Sequence, residues 1–265
     1  MCSQIKEMIT SELFKLLKNK VNYIYIVVTL VAIIASSFGM KLIENTDNLN
    51  TGYSFILFSL QTLFTTIIPI MLLLFAASTI SSEKNPRTIR NILATGCSKN
   101  QFVISKVIAS LIFLLVIMAT AAIAAIFIGY IAFGFGNISE DGFIIMTHYQ
   151  FWAKFLISYA ILTISLFAVI SFGIMISTIA QNNISAITTV IGTYIVLEGI
   201  KTKVHIENFV FSSYIEFPLN LVSELTEGLH ASWTPKLYYY LIISALWIII
   251  SLSTSFLVIK KLEFK

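Results

Sequence analysis

Charge is scarce along these 265 residues. Asp, Glu, Lys and Arg supply 11% of the chain and hydrophobic residues 57%, with a mean hydropathy of +0.90. A soluble globule of this length cannot hide that much apolar surface, so the chain belongs in a bilayer. Cysteine is nearly absent too. Cys2 and Cys97 are the only two, too few for a disulfide framework or a cysteine metal cluster, and each reads as a free thiol. His148, His205 and His230 are irregularly spaced, so no metal site is expected. No glycine is followed by lysine, which excludes a phosphate loop of the Walker type, and the chain is not expected to hydrolyse ATP or to be an enzyme by itself. The formal charge of +4 is spread over segment ends rather than gathered on one face, which argues against nucleic acid as a partner.

What is present is a succession of long uncharged runs. Residues 21–40, 53–80, 107–135, 155–180, 184–200 and 237–259 are each long enough, or nearly so, to cross a hydrocarbon core of about 30 Å at 1.5 Å per residue. The expected fold is therefore an all-α membrane protein with six transmembrane helices in one domain spanning 1–265. Pro69 lies inside the second run and is expected to kink it. Ala121 and Ala125, four apart in the third, permit close approach of another helix. Gln181-Asn182-Asn183 splits the apolar stretch 155–197 into a hairpin of spans four and five. Residues 4–20 have a broad apolar side, with Lys6, Lys15 and Lys18 able to reach head groups; they read as an interfacial helix or as an extension of the first span into water. Recurring charges and the lack of a small-residue cleavage site argue against a secretory signal there.

Alternate connections hold the basic residues unequally. The side with 4–20, 82–106 and 260–265 carries twelve Lys and Arg; the other carries five, Lys41, Lys154, Lys201, Lys203 and Lys236. Both termini and the 82–106 connector are thus expected in the cytoplasm, and the polar segment 201–235, with apolar patches suited to short helices, outside the cell. Within the spans the ionisable residues reduce essentially to Glu198, which either meets a cationic substrate group or reaches interfacial water. One carboxylate makes neither an intramembrane hydrolase nor the mid-membrane site of an ion-coupled secondary transporter.

The connector carries the most detailed pattern. Asn85-Pro86 is a helix start, Gly96 suits a helix end, and Ser98 with Gln101 has the spacing of a capping box that opens a second helix. Over 86–95, Thr88, Ile89, Ile92 and Leu93 share one face; Arg87, Arg90, Asn91 and Thr95 share the other. The sequence Glu83, Thr88, Arg90, Asn91, Leu93, Ala94, Thr95, Gly96, Ser98, Lys99 and Lys106 resembles the loop between spans two and three of ABC-2 type transporter permeases. Two positions depart from that pattern, Arg87 where the family has Gly and Lys99 where it has Arg; lysine lacks the planar fork for a bidentate contact.

The resemblance implies the permease subunit of an ABC exporter: 4–20 as an elbow helix, 86–95 as a coupling helix seated in a separate ATP-binding subunit, and pairing with a second permease subunit as homodimer or heterodimer. It implies that Glu83, Arg87, Thr88, Arg90, Asn91, Gly96, Ser98 and Lys99 face the partner, while Ile89, Ile92 and Leu93 hold the helix to the membrane core. No cofactor is expected on this chain; ATP and Mg would reside on the partner. Sparse charge in the spans favours an amphiphilic or hydrophobic cargo such as an antimicrobial peptide, drug or lipid. A polytopic anchor or assembly factor without transport would show the same six runs and lacks only a reason for the amphipathic connector.

Overall fold

The computed structural model of the protein describes residues 2–43, 51–84, 98–136, 138–140, 143–201, 203–204, 207–228 and 234–261. Six of its helices are long and apolar enough to cross a membrane, which makes this a multi-pass membrane protein of the all-α kind. Helix α1 (Cys2–Lys18) is separated from α2 (Lys20–Ile43) by Asn19, whose Oδ1 accepts the Val21 N–H at 3.1 Å and so caps the start of the first span.

The second span is continuous from Gly52–Ser81 but not uniform. It runs as α3 (Gly52–Thr62), a π turn (Leu63–Ile67) and α4 (Ile68–Ser81). Pro69 has no N–H and its ring crowds the carbonyl four residues back; the wider π turn just upstream takes up that misfit. The third span, α5 (Lys99–Phe133), starts with the capping box expected at Ser98 and Gln101, both halves of which form. At 35 residues it is about 50 Å long, well beyond the hydrocarbon thickness, so its first turns lie outside the apolar run 107–135.

A two-stranded antiparallel hairpin follows, β1 (Ile138–Glu140) with β2 (Phe143–Met146), where the sequence suggested only a loop. The fourth span, α6 (His148–Ile179), begins upstream of the apolar run 155–180, because Thr147 and Gln150 form a second capping box. Asn182 accepts the Ser185 N–H at 2.8 Å and starts α7 (Asn183–Lys201) after a tight turn. Short 3₁₀ turns at Glu207–Phe209 and Phe211–Tyr214 lead to α8 (Phe217–Thr226), and α9 (Thr234–Lys261) closes the bundle.

Spans two and four form the centre, each packed along α4 and α6, while spans one, five and six turn most of their surface outward. The centre is close-packed by small residues: a Cβ on Gly173 would stand 2.6 Å from the Ala76 Cβ, so these two helices touch almost backbone to backbone. Span six is fixed on span four by Tyr240, whose hydroxyl donates to the Ile161 carbonyl at 2.7 Å, and by the Ser165–Ser244 hydroxyl pair at 3.1 Å.

Candidate functional site

At the end of the bundle where spans two and three approach the connector, four charged side chains from three helices meet. Glu12 and Lys15 come from α1, three residues apart and therefore on one face. Glu83 stands in the turn that ends α4, and Lys106 two turns into α5. The Lys106 ammonium lies 2.6 Å from Glu12 Oε2 and 2.6 Å from Glu83 Oε1; Lys15 lies 2.7 Å from Glu12 Oε1 and 2.8 Å from Glu83 Oε1. Each ammonium thus bridges both carboxylates, in a ring with no net charge. The Lys106 side chain is 3% exposed and the two carboxylates 12% and 13%, whereas Lys15 is 49% exposed. Lys106 also lies over the Phe102 ring at 5.4 Å from its centre.

Burial works against ionisation of Glu83, but the charge and hydrogen bond of Lys106, with those of Lys15, outweigh it and hold the carboxyl below its ordinary 4.5. Burial likewise opposes the Lys15 ammonium, and its hydrogen bonds to Glu12 and Glu83 overcome that, leaving its pKa above 10.5. Glu83 Oε2 is buried and has no hydrogen-bond partner among the described residues.

A second set of contacts ties the same root to the turn between spans four and five. The Lys84 ammonium donates to the carbonyl of Thr178 at 2.6 Å and to that of Ala180, two of the acceptors left open where α6 ends. Burial lowers the Lys84 pKa. Ser177 inserts its hydroxyl into the last turn of α4, accepting from the N–H of Ile80 and Ser81 at 3.1 and 2.9 Å and donating to the Ala77 carbonyl at 2.6 Å. Ser81 Oγ reaches Asn183 Oδ1 at 2.9 Å. The residue pair Glu83-Lys84 therefore grips α1 and α5 with one side chain and α6 with the other.

Of the residues singled out from the sequence, Arg87, Thr88, Ile89, Arg90, Asn91, Ile92, Leu93 and Gly96 lie outside the described residues, as does the whole of the expected coupling helix 86–95. Glu83, expected toward the partner, turns its carboxylate into the protein. Ser98 caps α5, and Lys99 donates to the Lys260 carbonyl at 3.3 Å near the end of span six. Lys106, part of the family pattern, is buried in the ion ring. Lys15, expected among head groups, is ion-paired instead. Glu198 pairs with Lys201 at 2.5 Å at the opposite end of the bundle. His148 has both ring nitrogens engaged, by the Tyr53 hydroxyl and by Trp152 Nε1 at 3.2 Å, and no group of three or more His, Cys, Asp or Glu suited to a metal occurs among the described residues. His205 and His230 lie outside them.

Glu12 and Lys84 escaped the sequence reading. The first had a local signal, the opposite charge of Lys15 one turn on; the second had none, since its partners are carbonyls more than ninety residues away.

The family model described as ABC-2 family transporter protein matches residues 8–197. The chain belongs to the ABC-2 transporter family. The match takes in all four residues of the ion ring and the connector between them, and stops before α8 and span six. No curated protein resembles this ABC-2 protein closely enough to count as a match. ABC-2 permeases are membrane subunits, generally non-catalytic, that generally work with an ATP-binding subunit.

Proposed function

We propose that this ABC-2 protein is the permease subunit of an ATP-driven exporter in the cytoplasmic membrane of a bacterium, moving a hydrophobic or amphiphilic substrate, such as an antimicrobial peptide, drug or lipid, out of the cell. A separate subunit holds ATP and Mg, a second permease copy or homologue completes the pore, and the connector end with both termini faces the cytoplasm. The observation that carries this reading is the family match across the connector and its roots.

In this reading residues 86–95 form a coupling helix that receives the movement of the ATP-binding subunits. Arg87, Arg90, Asn91 and Lys99 face the partner; Ile89, Ile92 and Leu93 face the membrane core. Helix α1 lies in the interface as an elbow. The roots supply the next step. A displacement of the connector pulls Glu83 and Lys106 against Glu12 and Lys15, and so moves α1; through Lys84 it loads the end of α6. Charge pairs suit such a joint because they keep their strength in a dry site yet exchange partners in discrete steps.

The test is the full chain co-expressed with its cognate ATP-binding subunit. The substitution Arg90→Glu is expected to leave insertion intact, to weaken co-purification and to abolish substrate-stimulated ATPase activity. Unchanged stimulation and binding in that variant would falsify the partner-facing assignment.

A further inference from the structure

At the end of the bundle away from the connector, one histidine uses both ring nitrogens in a way that only one protonation state allows. Trp152 donates its indole Nε1–H to Nε2 of His148 at 3.2 Å, and Nδ1 of the same ring meets the Tyr53 hydroxyl. An indole nitrogen donates and never accepts, so Nε2 must keep its lone pair. In the neutral imidazole the proton then sits on Nδ1, which donates to the Tyr53 oxygen. The imidazolium carries a proton on both nitrogens. Two N–H groups would then point at each other across the gap between His148 and Trp152, with no acceptor between them.

The rigid ring passes that conflict on. It cannot turn Nε2 away from Trp152 without drawing Nδ1 off the Tyr53 hydroxyl. Tyr53 is fully buried at the start of span two, and the Trp152 indole packs edge-on against Tyr53, Phe135 and Phe155 with ring centres 5.7 to 6.4 Å apart. His148 therefore ties the first turn of span four to the first turn of span two. The ring is also exposed, and it stands roughly 10 Å along the helix from Phe155, where the apolar run begins, so protons from solution reach it.

No neighbouring charge fixes the ring in either state. The titratable group that faces it from α3 is Tyr53. The stretch after α5 brings Phe135, and β2 (Phe143–Met146) carries no charge. On β1, Glu140 pairs in register with Phe143 at the turn end of the hairpin, away from Thr147 and His148. Glu227, where α8 ends, accepts from the Ser223 hydroxyl at 3.4 Å, and Lys154 of α6 stands about 120° round the helix from His148. Among the described residues His148 enters no ion pair.

We infer that His148 is an acid-sensitive latch between spans two and four, closed while its ring is neutral and released when the solution on the side away from the connector turns acid. The latch needs no ATP-binding subunit, so it stands or falls independently of the exporter reading.

The experiment is fluorine NMR of the full-length chain in detergent, with 5-fluorotryptophan at Trp152, Trp233 and Trp247. The Trp152 resonance, assigned as the one missing from Trp152→Phe, is expected to move in a single step within the range of about pH 5 to 8 in which imidazoles titrate. In His148→Gln the side-chain amide oxygen accepts from Trp152 at every pH, and the resonance should stay still. Across the same range the unfolding midpoint of the wild type should fall by about 2–4 °C relative to His148→Gln, the scale of one neutral hydrogen bond. Trp152→Phe removes the opposing donor and should abolish that fall as well, which keeps the test open should the glutamine variant be poorly recovered. A Trp152 resonance that does not move overturns the latch. So does a step of the same size in His148→Gln, or a wild-type midpoint that tracks both variants from pH 8 to pH 5.

Discussion

The two ends of this bundle are held together by different physics. At the connector end, helices are joined by ammonium, carboxylate and hydroxyl groups: the Glu12, Lys15, Glu83, Lys106 ring, the Lys84 cap and the Ser177 insertion. At the far end close-fitting glycine and aromatic surfaces and uncharged hydrogen bonds take the place of ion pairs between helices. Gly52 donates its N–H to the Gly134 carbonyl at 2.9 Å, and Tyr53 packs among Phe135, Phe151 and Trp152 at 4.3 to 6.4 Å between ring centres. Helix α8 lies against that end, with Asn220 bonded to Gln61 of span two. Shape-fitted contacts have one good arrangement and resist displacement. Ion pairs can hold two helices and still exchange partners in discrete steps.

The sharpest way to break the comparison is Lys106→Met. It leaves two buried carboxylates facing each other without their main counter-ion, and removing one partner of a buried pair costs about 3–5 kcal/mol. A large drop in the thermal unfolding midpoint in detergent is expected, together with release of α1 to proteolysis. Replacing Glu12 and Glu83 by Gln in the same chain should restore most of the loss, because no buried carboxylate is then stranded and Lys15 is half-exposed to water. A Lys106→Met protein that unfolds with the wild type would show that the connector end is held by something other than its charges.

Gly52→Ala is the counterpart at the far end. A Cβ there would lie 2.5 Å from the Gly134 carbonyl oxygen and 2.8 Å from that of Gly129, both backbone atoms that cannot swing aside. Overpacking of this kind costs about 1–3 kcal/mol. Gly192→Ala, where nothing lies within 4 Å, is the matched control and should be neutral or slightly stabilising. Equal midpoints for the two variants would remove the claim that this end is fixed by close approach. The loss at Gly52 should not change with pH.

The difference between the ends also explains what could be read from the sequence. Six apolar runs announce six spans because hydropathy is local, and the Ser98 to Gln101 spacing announces the start of α5 for the same reason. Span four was read as starting at 155 because Lys154 interrupts the apolar run, although Thr147 and Gln150 carried the same capping signal eight residues earlier. A helix does not stop at the edge of its apolar run; it stops where its backbone finds a cap. The ion ring was illegible, since Glu12 and Lys106 are 94 residues apart and nothing periodic links them. A lysine beside an apolar run usually reaches toward water, so nothing local to Lys106 announces a buried ion pair. The glycine contacts were hidden likewise: Gly52 begins a helix in sequence, and only the fold brings Gly129 and Gly134 against it.

The finest test separates the inner and outer halves of the ring. Lys15 touches the same two carboxylates as Lys106, but half its side chain meets solvent, and ion pairs so exposed contribute about 0–1 kcal/mol. Lys15→Met should therefore lower the unfolding midpoint only slightly, and less in high salt. The pH dependence separates the two signs of charge. Glu83 has its carboxyl pKa held below 4.5, so its contribution is complete above 4.5 and is lost as the pH falls through the lower folded value. Lys15 has its pKa held above 10.5, so its contribution is complete below 10.5 and is lost as the pH rises through the higher folded value. The gap in midpoint between wild type and Glu83→Gln should hence be constant through neutrality and close in acid, while the small gap for Lys15→Met should close both in acid, where Glu83 takes up its proton, and in strong base. A Lys15→Met loss as large as that of Lys106→Met would mean that solvent at the ring's outer edge screens nothing, and that the connector end is as dry as the far one.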